Sequence, residues 1–95
     1  MRFVKRSNAF KHCYKLMEKR GKDLDKIDKA IFLLANDLPL PPSYRDHPLS
    51  GDFSGFRDLH IEPDWLLVYY KKKASEEYPN GELILELTGT HADLF

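Results

Sequence analysis

Gly55-Phe56-Arg57-Asp58-Leu59-His60-Ile61-Glu62-Pro63-Asp64-Trp65-Leu66-Leu67-Val68-Tyr69-Tyr70 is the stretch that decides the fold. From Gly55 onward the residues alternate with a period of two. Phe56, Asp58 and His60 fall on one face of a strand, and Arg57, Leu59 and Ile61 fall on the other. Glu62-Pro63-Asp64 reads as a turn, and Trp65 to Tyr70 is an aromatic and β-branched strand. A polar connection follows and ends in Pro79-Asn80-Gly81, a hairpin signal. Glu82 to Leu87 makes the next strand.

Upstream the period changes. Ser7 is an N-cap for a helix ending near Arg20, with Gly21 as its stop. Phe10, Cys13, Tyr14 and Met17 form its apolar stripe. Asp23 or Asp25 caps a second helix to about Asp37, with the stripe Leu24, Ile27, Ala30, Ile31, Leu34 and Leu38 and with Lys26 and Lys29 on the wet side. The short Gly21-Lys22 joint predicts a helical hairpin. Leu38-Pro39-Leu40-Pro41-Pro42 stops helix formation, and an ordered loop is expected from there to Ser54. Residues 2–6 add a candidate edge strand. The expectation is an α+β domain, a helical hairpin packed on a small antiparallel sheet, in one unit spanning 1–95.

Ninety-five residues and 11.1 kDa support one small core, burying roughly 60–65% of the extended surface. No apolar run approaches the ~20 residues of a membrane span, and no signal peptide is visible, so the expectation is a cytoplasmic protein without a membrane partner. Cys13 is the only cysteine, which excludes internal disulfides and a four-cysteine zinc site. The net charge of zero argues against a general nucleic-acid binder. Yet residues 1–36 carry 10 Lys/Arg and 4 Asp/Glu, and the remaining chain is acidic. That asymmetry suits either phosphate contact or simple solvation of two helices.

The chemistry-bearing residues are few. Asp58 and His60 share a strand face, His47 sits in Arg45-Asp46-His47-Pro48-Leu49, and His91 closes Thr88-Gly89-Thr90-His91. His12, in a basic helix, reads as solvated. If the strands are neighbours, His47, His60 and His91 converge with Asp58 and Asp64. Imidazoles titrate near neutrality, so such a group exchanges protons at physiological pH. The histidine spacing carries no metal signature, and no cofactor is expected.

Taken together, Leu38-Pro39-Leu40-Pro41, Tyr44 to Leu49, Gly55 to Tyr69 and Thr88-Gly89-Thr90-His91-Ala92-Asp93-Leu94-Phe95 resemble the YafQ-type toxins of the RelE superfamily. The resemblance runs from about residue 38 to the end, with residues 71–87 unlike, and covers the amino-terminal helices in pattern only. It implies a RelE-like microbial RNase fold and a ribosome-dependent endoribonuclease that cuts mRNA in the A site. It also implies a DinJ-type antitoxin as partner, with operator DNA reached only through that complex. By position, the family's functional residues fall on His47, Asp58, His60, Asp64, Trp65, His91 and Phe95. RNA supplies its own nucleophile, the 2′-hydroxyl, so the enzyme needs a base, an acid and charge stabilisation, and no metal. His47 and His91 are the expected acid–base pair. His60 is expected to orient or face the phosphate, Asp64 to hold an imidazole tautomer, and Phe95 to stack on a base.

One departure stands out. The family usually has arginine four residues before the final histidine, where it would contact the scissile phosphate, and this chain has Leu87. Arg57, Arg45 or a lysine from Lys71-Lys72-Lys73 is then expected to replace it. Otherwise the chain is a weakened toxin whose main work is binding its antitoxin and, in that complex, operator DNA.

Overall fold

The computed structural model describes residues 1–95. Ser7 caps α1 (Asn8–Lys19), its hydroxyl accepting from Phe10 N at 2.9 Å, and Gly21 follows the helix at a φ of 80°. Asp23, of the two candidates, caps α2 (Leu24–Ala35). The stripes Phe10/Met17 and Ile27/Ala30/Ile31/Leu34 are buried, and Tyr14 ties the helices together through Asp28 at 2.8 Å. The second helix ends two residues before its expected limit. Asp37 takes a left-handed φ of 52°, which swings Leu38 off the stripe and leaves it 42% exposed.

The sheet comprises β1 (Phe3–Arg6), β2 (His47–Pro48), β3 (Arg57–Glu62), β4 (Trp65–Lys72) and β5 (Glu82–Gly89), in the order β1-β5-β4-β3-β2. Helices α1 and α2 cover one face, where Leu59, Trp65, Leu67, Tyr69, Leu83 and Leu85 join them in the core.

One feature corrects the expected antiparallel sheet, and another corrects the expected loop from Leu38 to Ser54. β1 pairs parallel with β5, Phe3 opposite Glu82 through Arg6 opposite Leu85. Parallel neighbours need a long crossover, and the whole intervening chain provides one. Lys5 to Glu82 at 3.0 Å and the Arg2 guanidinium on the Lys72 carbonyl at 2.8 Å fasten that edge. The stretch around His47 is also not all loop. His47 pairs with Asp58 and Pro48 with Arg57, and Leu49 N extends the contact to the Phe56 carbonyl at 2.9 Å.

A bulge in β5 has the largest consequence. Tyr69 pairs with Leu85 but Val68 pairs with Leu87, so Glu86 is the extra residue. The insertion inverts the side-chain parity beyond it. Leu83 and Leu85 face the core. Past the bulge Thr88 faces inward, accepting the Trp65 indole N–H at 2.9 Å, while Leu87 is turned to the face away from the helices. A one-turn helix, α3 (His91–Leu94), closes the chain.

Candidate active site

The face turned away from the helices carries Asp58 and His60 on β3, flanked across β4 by Val68 and Leu66, both fully buried. β2 delivers His47 beside them, and the end of β5 delivers His91. The His47 and His60 rings lie 6.3 Å apart between centroids, and those of His60 and His91 lie 5.7 Å apart. Three histidines separated by 44 residues in sequence therefore form one row.

Each ring is held through one nitrogen. His47 Nδ1 lies 2.7 Å from the Arg45 carbonyl, a position the chain reaches because Arg45 is left-handed at a φ of 49°. His60 Nδ1 lies 3.2 Å from the Pro63 carbonyl. His91 Nδ1 lies 2.5 Å from Asp64 Oδ1, which also accepts the His91 backbone N–H at 2.9 Å. A carbonyl only accepts, so Nδ1 carries the proton in the first two rings and Nε2 is left for other work. Asp64 selects the same tautomer in His91. Its carboxyl is held below the ordinary carboxylate range, first by the His91 amide and then by the ring.

Asp58 is different. It is 3% exposed, and its Oδ1 has one close neighbour, His47 Nε2, at 3.0 Å, outside hydrogen-bond alignment. Burial pushes its carboxyl upward, and the three surrounding imidazoles pull it back. Donor atoms of His47, Asp58 and His60 lie within 4.8 Å of one another. Two imidazoles and a carboxylate are a donor set that suits zinc.

The family profile described as "Bacterial toxin of type II toxin-antitoxin system, YafQ" matches residues 2–95. The chain belongs to the YafQ family of toxins. It is 44% identical over 95 residues to the mRNA interferase toxin YafQ of Escherichia coli strain K12, covering 99% of this chain and 96% of that one. The crystal structure of YafQ from E. coli strain BL21(DE3) superposes with a TM-score of 0.84 at 42% identity, covering 100% of this chain and 99% of that one. YafQ in the E. coli DinJ–YafQ complex gives 0.81 at 44% identity, with 99% and 97% covered. A metal-bound toxin from Helicobacter pylori gives 0.85 at 37% identity, covering all of both chains.

In this YafQ-family chain the fold gathers five expected site residues, His47, Asp58, His60, Asp64 and His91, on one patch. Phe95 stands at the rim, 58% exposed, its ring edge-on to Phe53 at 5.5 Å. Arg45 borders the patch, sharing an open depression of about 330 Å³ with Ser43, His60, Ile61, Glu62 and Pro63. Two expected substrate contacts lie elsewhere. Trp65 is fully buried on the helix side, bonded to Thr88, and has no surface for a substrate. Arg57 points to the helix side too, where it forks onto Asp46 at 3.0–3.3 Å. Lys71 is engaged by Asp37 at 2.7 Å, toward the far end of β4.

Asp46, which no sequence signal marks, receives both Arg57 and the buried Tyr69 hydroxyl and so anchors the residue before His47. Asp93 is a second anchor, tied to the Thr90 backbone. Thr90-His91-Ala92-Asp93 has the form of a capping box, and that signal was available.

Proposed function

We propose that this toxin is a ribosome-dependent endoribonuclease that cuts mRNA in the A site, without a metal, by attack of the ribose 2′-hydroxyl on the adjacent phosphate. The observation that carries this is the row of three imidazoles with Nδ1 engaged and Asp64 fixing the last of them. The 2′-oxygen bonds to phosphorus as its proton passes to a base, and the 5′-oxygen leaves with a proton from an acid. The products are a 2′,3′-cyclic phosphate and a free 5′-hydroxyl. A positioned base or acid typically contributes 10²–10⁴-fold.

The roles follow from which nitrogens are free. His60 and His91 each offer an Nε2 with no protein partner, the condition for moving a proton to or from substrate. In His47 one nitrogen bonds the Arg45 carbonyl and the other lies 3.0 Å from the Asp58 carboxylate, so its doubly protonated form has a hydrogen-bond acceptor on one side and a counter-charge on the other. Such an imidazolium, together with Arg45, is a cation where Leu87 supplies none. This favours His60 and His91 over His47 and His91 as the proton-transfer pair. His47 then offsets charge on the phosphoryl oxygens. Phe95 stacks on a base beside the cut. DNA, lacking the 2′-hydroxyl, is left intact.

The partner proposed is an antitoxin of the kind seen with E. coli YafQ, DinJ, and operator DNA is contacted through that complex. The place of action is the cytoplasm, where ribosomes are. Expression without antitoxin tests the proposal. Growth arrest with mRNA cut at in-frame codons, abolished by His91→Ala, supports it. No arrest from a soluble, folded wild type overturns it in favour of an antitoxin-binding protein. The H. pylori structure and the His47/Asp58/His60 donor set call for a metal arm. Zinc on those atoms would occupy groups the proton transfers need, so added zinc inhibits cleavage and a zinc-selective chelator restores it. Activation by zinc would reverse the metal-free reading.

A further inference from the structure

The last six residues, Thr90 to Phe95, reach the site by a route outside the sheet. After Gly89 the chain makes a single helical turn, α3, and ends. A four-residue helix has no stability of its own, and chain termini fray unless tied down. Yet His91, its first residue, must hold its ring against Asp64 and leave Nε2 aimed at substrate.

Three ties fix the turn. Asp64 accepts from the His91 backbone and ring. Phe95 meets Phe53 at the rim. The third comes from the helix layer on the other side of the sheet: Arg20, the residue that caps α1, forks onto Asp93, Nη1 to Oδ2 at 2.6 Å and Nη2 to Oδ1 at 3.1 Å. The same Asp93 Oδ2 accepts the Thr90 N–H at 2.9 Å, and the Thr90 hydroxyl accepts from Asp93 N at 3.2 Å. The Asp93 carboxylate therefore joins α1 to the backbone immediately before His91. Gly89 leaves room for this, because a Cβ there would meet the Asp93 carboxylate at 3.0 Å.

We propose that Arg20 is a positioning residue for His91, acting through Asp93 to hold α3 and, with it, the imidazole against Asp64. The inference rests on the proposed role of His91 in RNA cleavage. Arg20 touches neither His91 nor the patch between the histidines. Its effect on chemistry would pass entirely through the placement of one turn. A two-point guanidinium–carboxylate fork fixes orientation as well as distance, which a lysine ammonium does not.

Arg20→Gln and Asp93→Asn, in the full-length toxin released from its antitoxin, test this with two independent readouts. The first is long-range 1H–15N NMR of the His91 ring at pH 8, with amide exchange across residues 90–95. The wild type is expected to show one tautomer, with the proton on Nδ1. Both variants are expected to show a tautomer mixture and exchange at least about tenfold faster in this segment, with β3 to β5 unchanged. The second is cleavage on programmed ribosomes. The maximal rate is expected to fall about tenfold, while the ribosome concentration for half-saturation stays within about twofold. Arg20→Lys should lie between wild type and Arg20→Gln, because a lysine keeps the charge but not the two-point fork. A wild-type tautomer and wild-type exchange in Arg20→Gln overturn the proposal. So does a rate loss that appears wholly in half-saturation, which would make Arg20 a ribosome contact. If the ring loosens as expected but His91→Ala cleaves normally, Arg20 still positions His91 and the nuclease assignment of that histidine falls.

Discussion

Leu87 shares the sheet face of the histidines, toward the end of β5, in register with Val68 and, across β4, with Asp58. The resemblance places an arginine there, and the β5 bulge turns this position onto the face that carries the histidines. Arg57 and Lys71 are committed to Asp46 and Asp37, which leaves Arg45 and His47 as nearby cations. One donor to a developing oxyanion is typically worth 10²–10³ in kcat. With Arg45 and His47 proposed to supply that charge, Leu87→Arg is expected to change ribosomal cleavage by less than about threefold, with little change in stability because the side chain is only partly buried. A rise of about tenfold or more would mean that the developing charge goes unmet in this chain and that Arg45 and His47 do not supply it. Tyr69→Phe tests the anchor behind His47. The buried phenol, its ionisation pushed up by burial and then by Asp46, gives its hydroxyl to that carboxylate. Removing it should cost about 1–2 kcal/mol in urea melts and slow cleavage as the His47 segment loosens. At this scale the sequence was informative where neighbours decide. Alternation put Asp58 and His60 opposite Leu59, and it also put Arg57 on the Leu59 side, an argument against its role as a substrate contact. The Asp64–His91 contact spans 27 residues. It depends on strand order and register, which local pattern does not carry, so it came through the family resemblance.

Among the elements, α1 and α2 were legible because caps and apolar stripes are local signals. β1 was legible only as a candidate strand, since four mostly exposed residues carry no register. Its parallel pairing is a property of the whole path. β2 is two residues long, and the β5 bulge leaves no mark in Glu82-Leu83-Ile84-Leu85-Glu86-Leu87, where strict alternation would put all three leucines on one face. The hairpin turn was legible, and it carries a sharp prediction. Gly81 sits at a φ of 81°, and a Cβ there would lie 2.6 Å from both the Lys72 carbonyl oxygen and the Arg2 guanidinium. The guanidinium can move, but the carbonyl belongs to the β4 backbone. Gly81→Ala should therefore cost about 2 kcal/mol or more, through left-handed strain and displacement of the β4–β5 connection. Chemical denaturation would measure it. A loss under about 0.5 kcal/mol would mean that the turn relaxes freely.

Over the whole molecule, the charge asymmetry of the sequence becomes a set of ion pairs within the fold. Arg2 to Asp37, Lys5 to Glu82, Arg20 to Asp93, and Lys22 and Lys26 to Glu62 each join the basic amino-terminal region to the acidic remainder, at 2.6–3.0 Å. Much of the basic excess is spent inside the fold. Neither phosphate contact nor simple solvation of two helices accounts for this use. These links make stability depend on pH. Lysines and arginines hold Asp37, Glu62 and Asp93 below the ordinary carboxylate range, and His91 does the same for Asp64. In the unfolded chain these groups titrate near 3.9–4.3. Between the folded and unfolded values the unfolded chain binds more protons. The contribution to stability is therefore complete above about pH 5 and is lost as pH falls through the folded values. Asp58 runs the other way, since burial raises it and its protonation favours the folded state as pH falls, but it is one group against four. The urea midpoint should stay nearly level from pH 7 to 5 and drop steadily below about 4.5. Glu62→Gln, which removes the carboxylate shared by Lys22 and Lys26, should flatten part of that drop while lowering the plateau at pH 7. If the wild-type midpoint at pH 3 equals that at pH 6, the ion pairs do not stabilise the fold, and burial of the apolar stripes alone must do so.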